Sequence, residues 1–219
     1  MAKHERAMPP VCPNVLTETR HWKPRKKSEK PTISFCGYVA SFPKRHIYRL
    51  LGRLDKVAGH DVRYRTLRLL ETSPLVNTKF VRRNAYWGGA LKFRNDPLKV
   101  ETIREQYWNN LLESDYVVCV RGAGNFSYRF YEALSAGRIP LLIDTDCVLP
   151  LEGEIDWKQH CLIVPESELR RVATRILDHF HSLSSEAFEA LQVANRELMF
   201  SNLLPVPFIR KAIRTNCAG

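Results

Sequence analysis

The segment from Tyr116 to Asp146 constrains this chain more than any other. Tyr116-Val117-Val118-Cys119-Val120 is an unbroken apolar run, as in a central parallel strand whose two faces are both covered by helices. A turn containing Gly122 and Gly124 follows, then a short helix from Ser127 to Ala136 ended by Gly137, then a second buried run, Ile139-Pro140-Leu141-Leu142-Ile143-Asp144. Two parallel strands cannot be joined by a hairpin, so strand, crossover helix and strand make a βαβ unit. The fold class is α/β.

The flanking sequence extends this unit into a sheet. Thr32–Val39 is rich in β-branched and aromatic residues and reads as the first strand. Pro43 opens a helix in which Ile47, Leu50, Leu51 and Leu54 form one apolar stripe for a sheet face, with Lys44, Arg45, Arg49 and Arg53 elsewhere on its surface. Thr78–Arg82 suggests a strand, and Tyr86-Trp87-Gly88-Gly89-Ala90 an irregular stretch. Val100, Ile103, Tyr107 and Leu111 recur at helical spacing between Pro97 and Glu113. Cys161–Val164 reads as another strand, and two amphipathic helices follow, one through Leu169, Val172, Ile176 and Phe180 and one through Phe188, Leu191 and Leu198. Strands alternating with helices predict a Rossmann-like, doubly wound parallel sheet over 32–219. Residues 1–31 hold five prolines and the run Lys23-Pro24-Arg25-Lys26-Lys27, which predicts a basic arm or linker that docks only on a partner.

Charge is distributed unevenly. The net charge is +11, yet residues 1–100 hold 22 Lys/Arg against 7 Asp/Glu and residues 101–219 hold 12 against 16. An anionic partner on the N-terminal side, or a solvated basic face, would account for this. The six cysteines lack any Cys-x-x-Cys and read as buried free thiols, and His179 and His181 read as surface cations near a helix C-terminus. There is no apolar run long enough to span a membrane and no secretory signal, so the expected location is the cytoplasm, with peripheral contact at a membrane surface left open.

In open parallel sheets ligands bind beyond the carboxyl ends of the strands, so the loops after Val39, Val120 and Asp144 should converge on one crevice. There Arg121-Gly122-Ala123-Gly124-Asn125-Phe126-Ser127 leads into a helix whose free N–H groups favour an anion. Arg121 and Arg129 are cations where a helix dipole opposes them, which points to phosphate. Glu132 lies three residues beyond Arg129, placed to pair with it or to accept from ribose hydroxyls; an ordinary surface Arg–Glu pair has the same spacing. Two short motifs overlap these residues. Gly122-x-Gly124-x-x-Ser127 imitates a dinucleotide fingerprint, with serine at its third glycine position, and Asp144-Thr145-Asp146 imitates a divalent-metal Asp-x-Asp.

The run Ser114–Asn125, then Ser127-Tyr128-Arg129, Tyr131-Glu132-Ala133-Leu134, Gly137-x-Ile139-Pro140, Leu149-Pro150 and Ile155-Asp156-Trp157, resembles the C-terminal domain of exostosin-like glycosyltransferases. Phe35-Cys36-Gly37 followed by Arg45 is similar to that domain's first strand. The resemblance covers roughly residues 32–180 and implies the donor-binding half of a GT-B enzyme. It implies Arg129 at a diphosphate, Glu132 at a ribose, and Gly122, Asn125 and Ser127 near the phosphates or sugar. Gly37, Arg45, Arg121, Gly124, Asp144 and Asp146 complete the candidate donor site. A nucleoside-diphosphate sugar is then the substrate, a glycan the acceptor, and neither a metal nor another cofactor is expected. Only about 31 residues precede Thr32, so the acceptor domain is expected in a longer product or a partner chain, or the chain is a minimal binding domain without turnover, and no catalytic base is assigned. The alternative is a non-catalytic basic module for nucleic acid or an anionic membrane; the sparse aromatic interleaving of its basic residues argues against nucleic acid.

Overall fold

The computed structural model describes residues 7–10, 15–20, 22–40, 47, 50, 55–122 and 124–217. Strands Thr32–Tyr38 (β1), Asn77–Arg83 (β2), Tyr116–Cys119 (β3), Ile139–Asp144 (β4) and Leu162–Pro165 (β5) form one all-parallel sheet in the order β2-β1-β3-β4-β5. Besides a single turn at Val15–Glu18, the helices that follow β1 include Asp55–Glu71 (α1), Pro97–Leu112 (α2), Tyr128–Ser135 (α3), Val172–Ser182 (α4), Ser185–Leu198 (α5) and Pro205–Cys217 (α6). This is the Rossmann-like α/β architecture expected of the sequence.

The apolar run of β3 divides between two cores because side chains alternate along a strand. Val117 and Cys119 join Trp108 and Leu111 of α2 and Phe130 and Leu134 of α3 on one face. Tyr116, Val118 and Val120 join Leu67 and Leu70 of α1 and Ile176 and Phe180 of α4 on the other. Both faces are covered, as a continuous apolar strand requires.

Two features differ from the sequence reading. A helix not recognised in the sequence, α1, precedes β2, and Ile47 and Leu50, helical as expected but assigned to a buried stripe, are 53% and 85% exposed. The remainder of that stripe, Leu51 and Leu54, and Arg45 lie outside the described residues. His179 is not a surface cation: its Nδ1 lies 2.6 Å from Tyr116 Oη, and burial lowers its pKa.

The N-terminal segment packs on its own domain instead of standing off as a linker. Arg25 Nε donates to Asp115 Oδ1 at 2.9 Å, and Asp115 Oδ2 accepts the Thr32 amide at 2.8 Å. The Gln192 side chain accepts from the Arg25 amide and donates to its carbonyl, at 2.8 and 2.9 Å. Trp22 lies over Gly137, where a Cβ would stand 2.5 Å from the indole, so the glycine that ends α3 also makes room for this segment. Asp115 has a fully buried side chain, and Arg25 is its ion-pair partner. Arg25→Ala is expected to lower unfolding free energy by about 2 kcal/mol in urea denaturation, since it removes a hydrogen bond to a buried charge. Exposed Lys26→Ala is expected to change it by less than about 0.5 kcal/mol.

Candidate functional site

The order β2-β1-β3 places the topological switch point between β1 and β3, where such sheets open a crevice. The two strands pair only at Ile33↔Tyr116 and Ser34↔Val117, while β1 continues to Tyr38 against β2. Carbonyls two residues apart on a strand point to the same side, and Thr32 O accepts the Asp115 amide on the β3 side. Cys36 O and Tyr38 O face the same way but lie beyond the paired stretch. Buried carbonyls need donors, and arginines supply them. Arg129 Nη2 donates to Cys36 O at 2.8 Å. Arg63 bridges the gap, Nη1 to Tyr38 O and Nη2 to Arg121 O, both at 3.0 Å.

Both guanidinium carbons lie over the Phe35 ring, at 4.4 Å for Arg129 and 6.0 Å for Arg63. The Nε atoms of both are buried without a hydrogen-bond partner, and no carboxylate lies within ion-pair distance of either among the described residues. Burial, then the nearby Arg129, pushes Arg63 down to about 10. Two glycines admit this arrangement. A Cβ on Gly37 would stand 2.6 Å from Arg129 Nη2, and one on Gly59 of α1 would stand 2.5 Å from Arg121 O.

In front of these groups lies a cleft of about 570 Å³. Gly37, Gly122, Gly124, Ser127, Arg129 and Glu132 of the candidate set line it, together with Arg63, Arg83, Tyr86, Trp87 and Tyr107. Ser127, which lines the cleft, is the N-cap of α3 but makes no side-chain cap bond, so the first amides of α3 lack that partner. Gly124 lies under the Phe126 ring, and the Gly122 amide closes the turn on Phe126 O at 3.1 Å.

Other candidates fall outside the cleft. Arg121 and Asn125 line a small neighbouring pocket. Asn125 Nδ2 donates to Thr145 O and Asp146 O at 3.0 and 2.8 Å, tying the glycine turn to the loop after β4. Asp144 accepts the Cys147 amide at 3.1 Å and shapes that loop, while Asp146 is exposed with φ 59°. The structure does not bring these two carboxylates to the cleft, and Arg45 lies outside the described residues. Arg63 and Gly59 were missed from sequence; their one signal was a glycine and an arginine inside a helix whose limits were not recognised.

Arg129 and Glu132 do not form the simple helical pair their spacing allowed. Glu132 instead accepts the Tyr107 hydroxyl from α2. Burial raises the Glu132 carboxyl above its ordinary value, with the Tyr107 bond and Arg129 acting in the opposite sense.

The structure is thus a doubly wound parallel sheet with two guanidinium groups and a helix N-terminus at its switch point, the place where sheets of this class hold their ligands. The Exostosin GT47 domain model matches residues 4–180, and the chain belongs to that family, a family of glycosyltransferases. The match begins in the N-terminal segment, which is therefore part of the family's domain. Exostosin-1 of Drosophila melanogaster is 31% identical over 134 residues, 61% of this chain and 17% of the relative. A probable glucuronosyltransferase, GUT1, of Oryza sativa subsp. japonica is 30% identical over 84 residues, 37% of this chain and 20% of the relative. The Exostosin-1 homolog of Caenorhabditis elegans is 26% identical over 132 residues, 60% and 32%. The chain thus spans a third or less of the length of these relatives.

A carboxyl whose folded pKa is raised contributes stability below its unfolded pKa and loses it as pH rises through the folded one. Glu132→Gln is therefore expected to raise the urea midpoint over wild type at pH 7. The gain should vanish as pH falls below the ordinary carboxyl value of 4.5. A loss of stability at pH 7 would show that its partners, not burial, dominate.

Proposed function

We propose that this chain binds the nucleoside-diphosphate sugar of a glycosyl transfer that extends a glycan in polysaccharide synthesis. The observation that supports this most is the pair Arg63 and Arg129, held in place by backbone carbonyls, without an ion-pair partner among the described residues, and lining a cleft large enough for a nucleotide sugar. A diphosphate fits donors of this kind, because guanidinium groups meet its oxygens with paired hydrogen bonds. The first amides of α3 add a positive dipole end.

In this reading the sugar–phosphate bond breaks while Arg63, Arg129 and the α3 amides hold the departing diphosphate. Negative charge grows on that leaving group, so preorganised cations lower the barrier. The reading gives charge neutralisation to arginines and a helix, not to a metal ion. Glu132, held by Tyr107, accepts from ribose hydroxyls and fixes the nucleoside. The acceptor glycan is assigned to an acceptor domain, in the same polypeptide or a partner chain, facing the open side of the cleft.

Thermal shift with UDP, GDP and their sugars tests this proposal. A nucleotide at 100 times its dissociation constant is expected to stabilise the fold by about 2.7 kcal/mol. Arg129→Lys, which keeps the charge but loses the fork, is expected to weaken nucleotide binding about tenfold or more. Gly37→Ala, which forces Arg129 off Cys36 O, is expected to act in the same direction and to cost about 1.5–3 kcal/mol of stability through the lost bond. No response to any nucleotide, or one indifferent to Arg129, would sink the reading.

A further inference from the structure

Between β2 and α2 the chain makes a 3-10 segment, Tyr86–Phe93, interrupted by three consecutive left-handed residues. Gly88 and Gly89, at φ 63° and 79°, adopt this conformation easily, but Trp87 holds it at φ 56°, ψ 24°. A bulky residue rarely does so, and such strain persists only where the surroundings impose it. The surroundings here are specific. A Cβ on Gly88 would stand 2.4 Å from Arg83 Nη1, and Arg83 is itself fastened to α2 through Ile103 O at 2.8 Å and Gln106 Oε1 at 3.0 Å.

The strained backbone does not bury the indole. Trp87 is 70% exposed, whereas Trp108 and Trp157 are 4% and 5% exposed, and yet it lines the cleft that Arg129 and Glu132 line. Phe126 and Tyr128, 46% and 47% exposed, line the cleft from the β3 side. A single exposed aromatic on a surface needs no explanation. One held in an unfavourable conformation beside a cleft that also holds Arg129 and Glu132 does.

We infer that Trp87 is a stacking platform for a pyranose ring at the cleft mouth. The inference rests on the sugar-nucleotide reading of the same cleft. The C–H face of a pyranose carries weak positive charge and is apolar, so it suits the negative face of an indole, while its hydroxyls stay turned toward water and polar groups. Two sources offer such a ring, the sugar of the donor and the terminal unit of the acceptor glycan, and experiment separates them.

The probe is acrylamide quenching of intrinsic fluorescence, with the Trp87 contribution taken as the difference between wild type and Trp87→Phe. UDP, GDP, UDP-glucose, UDP-glucuronic acid, GDP-mannose and cellohexaose are added in turn, with nucleotide binding followed separately by thermal shift. Protection of Trp87 by a nucleotide sugar beyond that by its bare nucleotide supports stacking of the donor. Protection by cellohexaose without nucleotide supports stacking of the acceptor. Bare-nucleotide binding with no sugar-dependent protection overturns the role of Trp87 and leaves the donor site standing. Protection by cellohexaose with no nucleotide response supports the platform and overturns the donor site, and no response of any kind overturns both.

A second variant separates recognition from structure. Trp87→Gly relieves the left-handed strain, so its denaturation midpoint is expected to equal or exceed that of wild type. Its sugar-dependent affinity is expected to fall about three- to tenfold, the size of one aromatic contact, while Trp87→Phe keeps most of it. A residue of merely structural importance would show the opposite pattern, a lower midpoint and unchanged affinity.

Discussion

Two guanidinium groups close the gap that the sheet leaves between β1 and β3, and the remainder of the site depends on them. A parallel sheet that reverses its strand order must let two neighbouring strands part, and the parting strands carry carbonyls that no neighbour satisfies. Arg129 and Arg63 answer Cys36, Tyr38 and Arg121, each bond to a charged donor adding about 1.5–3 kcal/mol. Because these groups hold the backbone, they cannot turn away from one another. Burial first, and the neighbouring Arg129 second, hold the pKa of Arg63 below its ordinary value. An anion in the cleft would oppose that shift, so the feature that completes the fold also prepares the binding site.

The part of this arrangement carried by β3, α3 and β4 was legible in the sequence. Its signals were local: an unbroken apolar run, a glycine turn, and Gly137 ending a helix at φ 57°. Arg129 and Glu132 were placed at the cleft for the same reason. Their partners were not, because Cys36 and Tyr107 lie 93 and 25 residues away and no helical spacing reports them. Helix α1 was not recognised for a different reason. Ile47, Leu50, Leu51 and Leu54 form a cleaner periodic stripe than the Val62, Leu67 and Leu70 that α1 buries, and α1 interrupts its apolar face with Gly59, His60 and Arg63. Those interruptions are the residues that meet the ends of β1 and β3. A helix that serves a site departs from the pattern by which helices are found.

The N-terminal segment gives a related lesson. Prolines and basic residues ordinarily indicate a chain that cannot order itself. Here ordering comes from specific polar contacts: Asp115 gathers Arg25 and the first amide of β1, and Gln192 of α5 binds the Arg25 backbone on both sides. Composition describes the segment alone and cannot register a buried carboxylate 90 residues away.

The same contacts explain much of the charge asymmetry. Arg25 pairs with Asp115, Lys26 with Glu189, Arg65 with Glu166 and Lys79 with Glu113, in each case a base from the first hundred residues with an acid from beyond them. A basic N-terminal half is therefore in part a statement about how the two halves meet. What distinguishes the cleft is which cations are left over. Arg63, Arg83 and Arg129 bond to carbonyls or to Gln106, partners that fix position without cancelling charge. Positive charge thus stays where the backbone needs rigid donors, while the pairs with Asp115, Glu189, Glu166 and Glu113 offset it elsewhere.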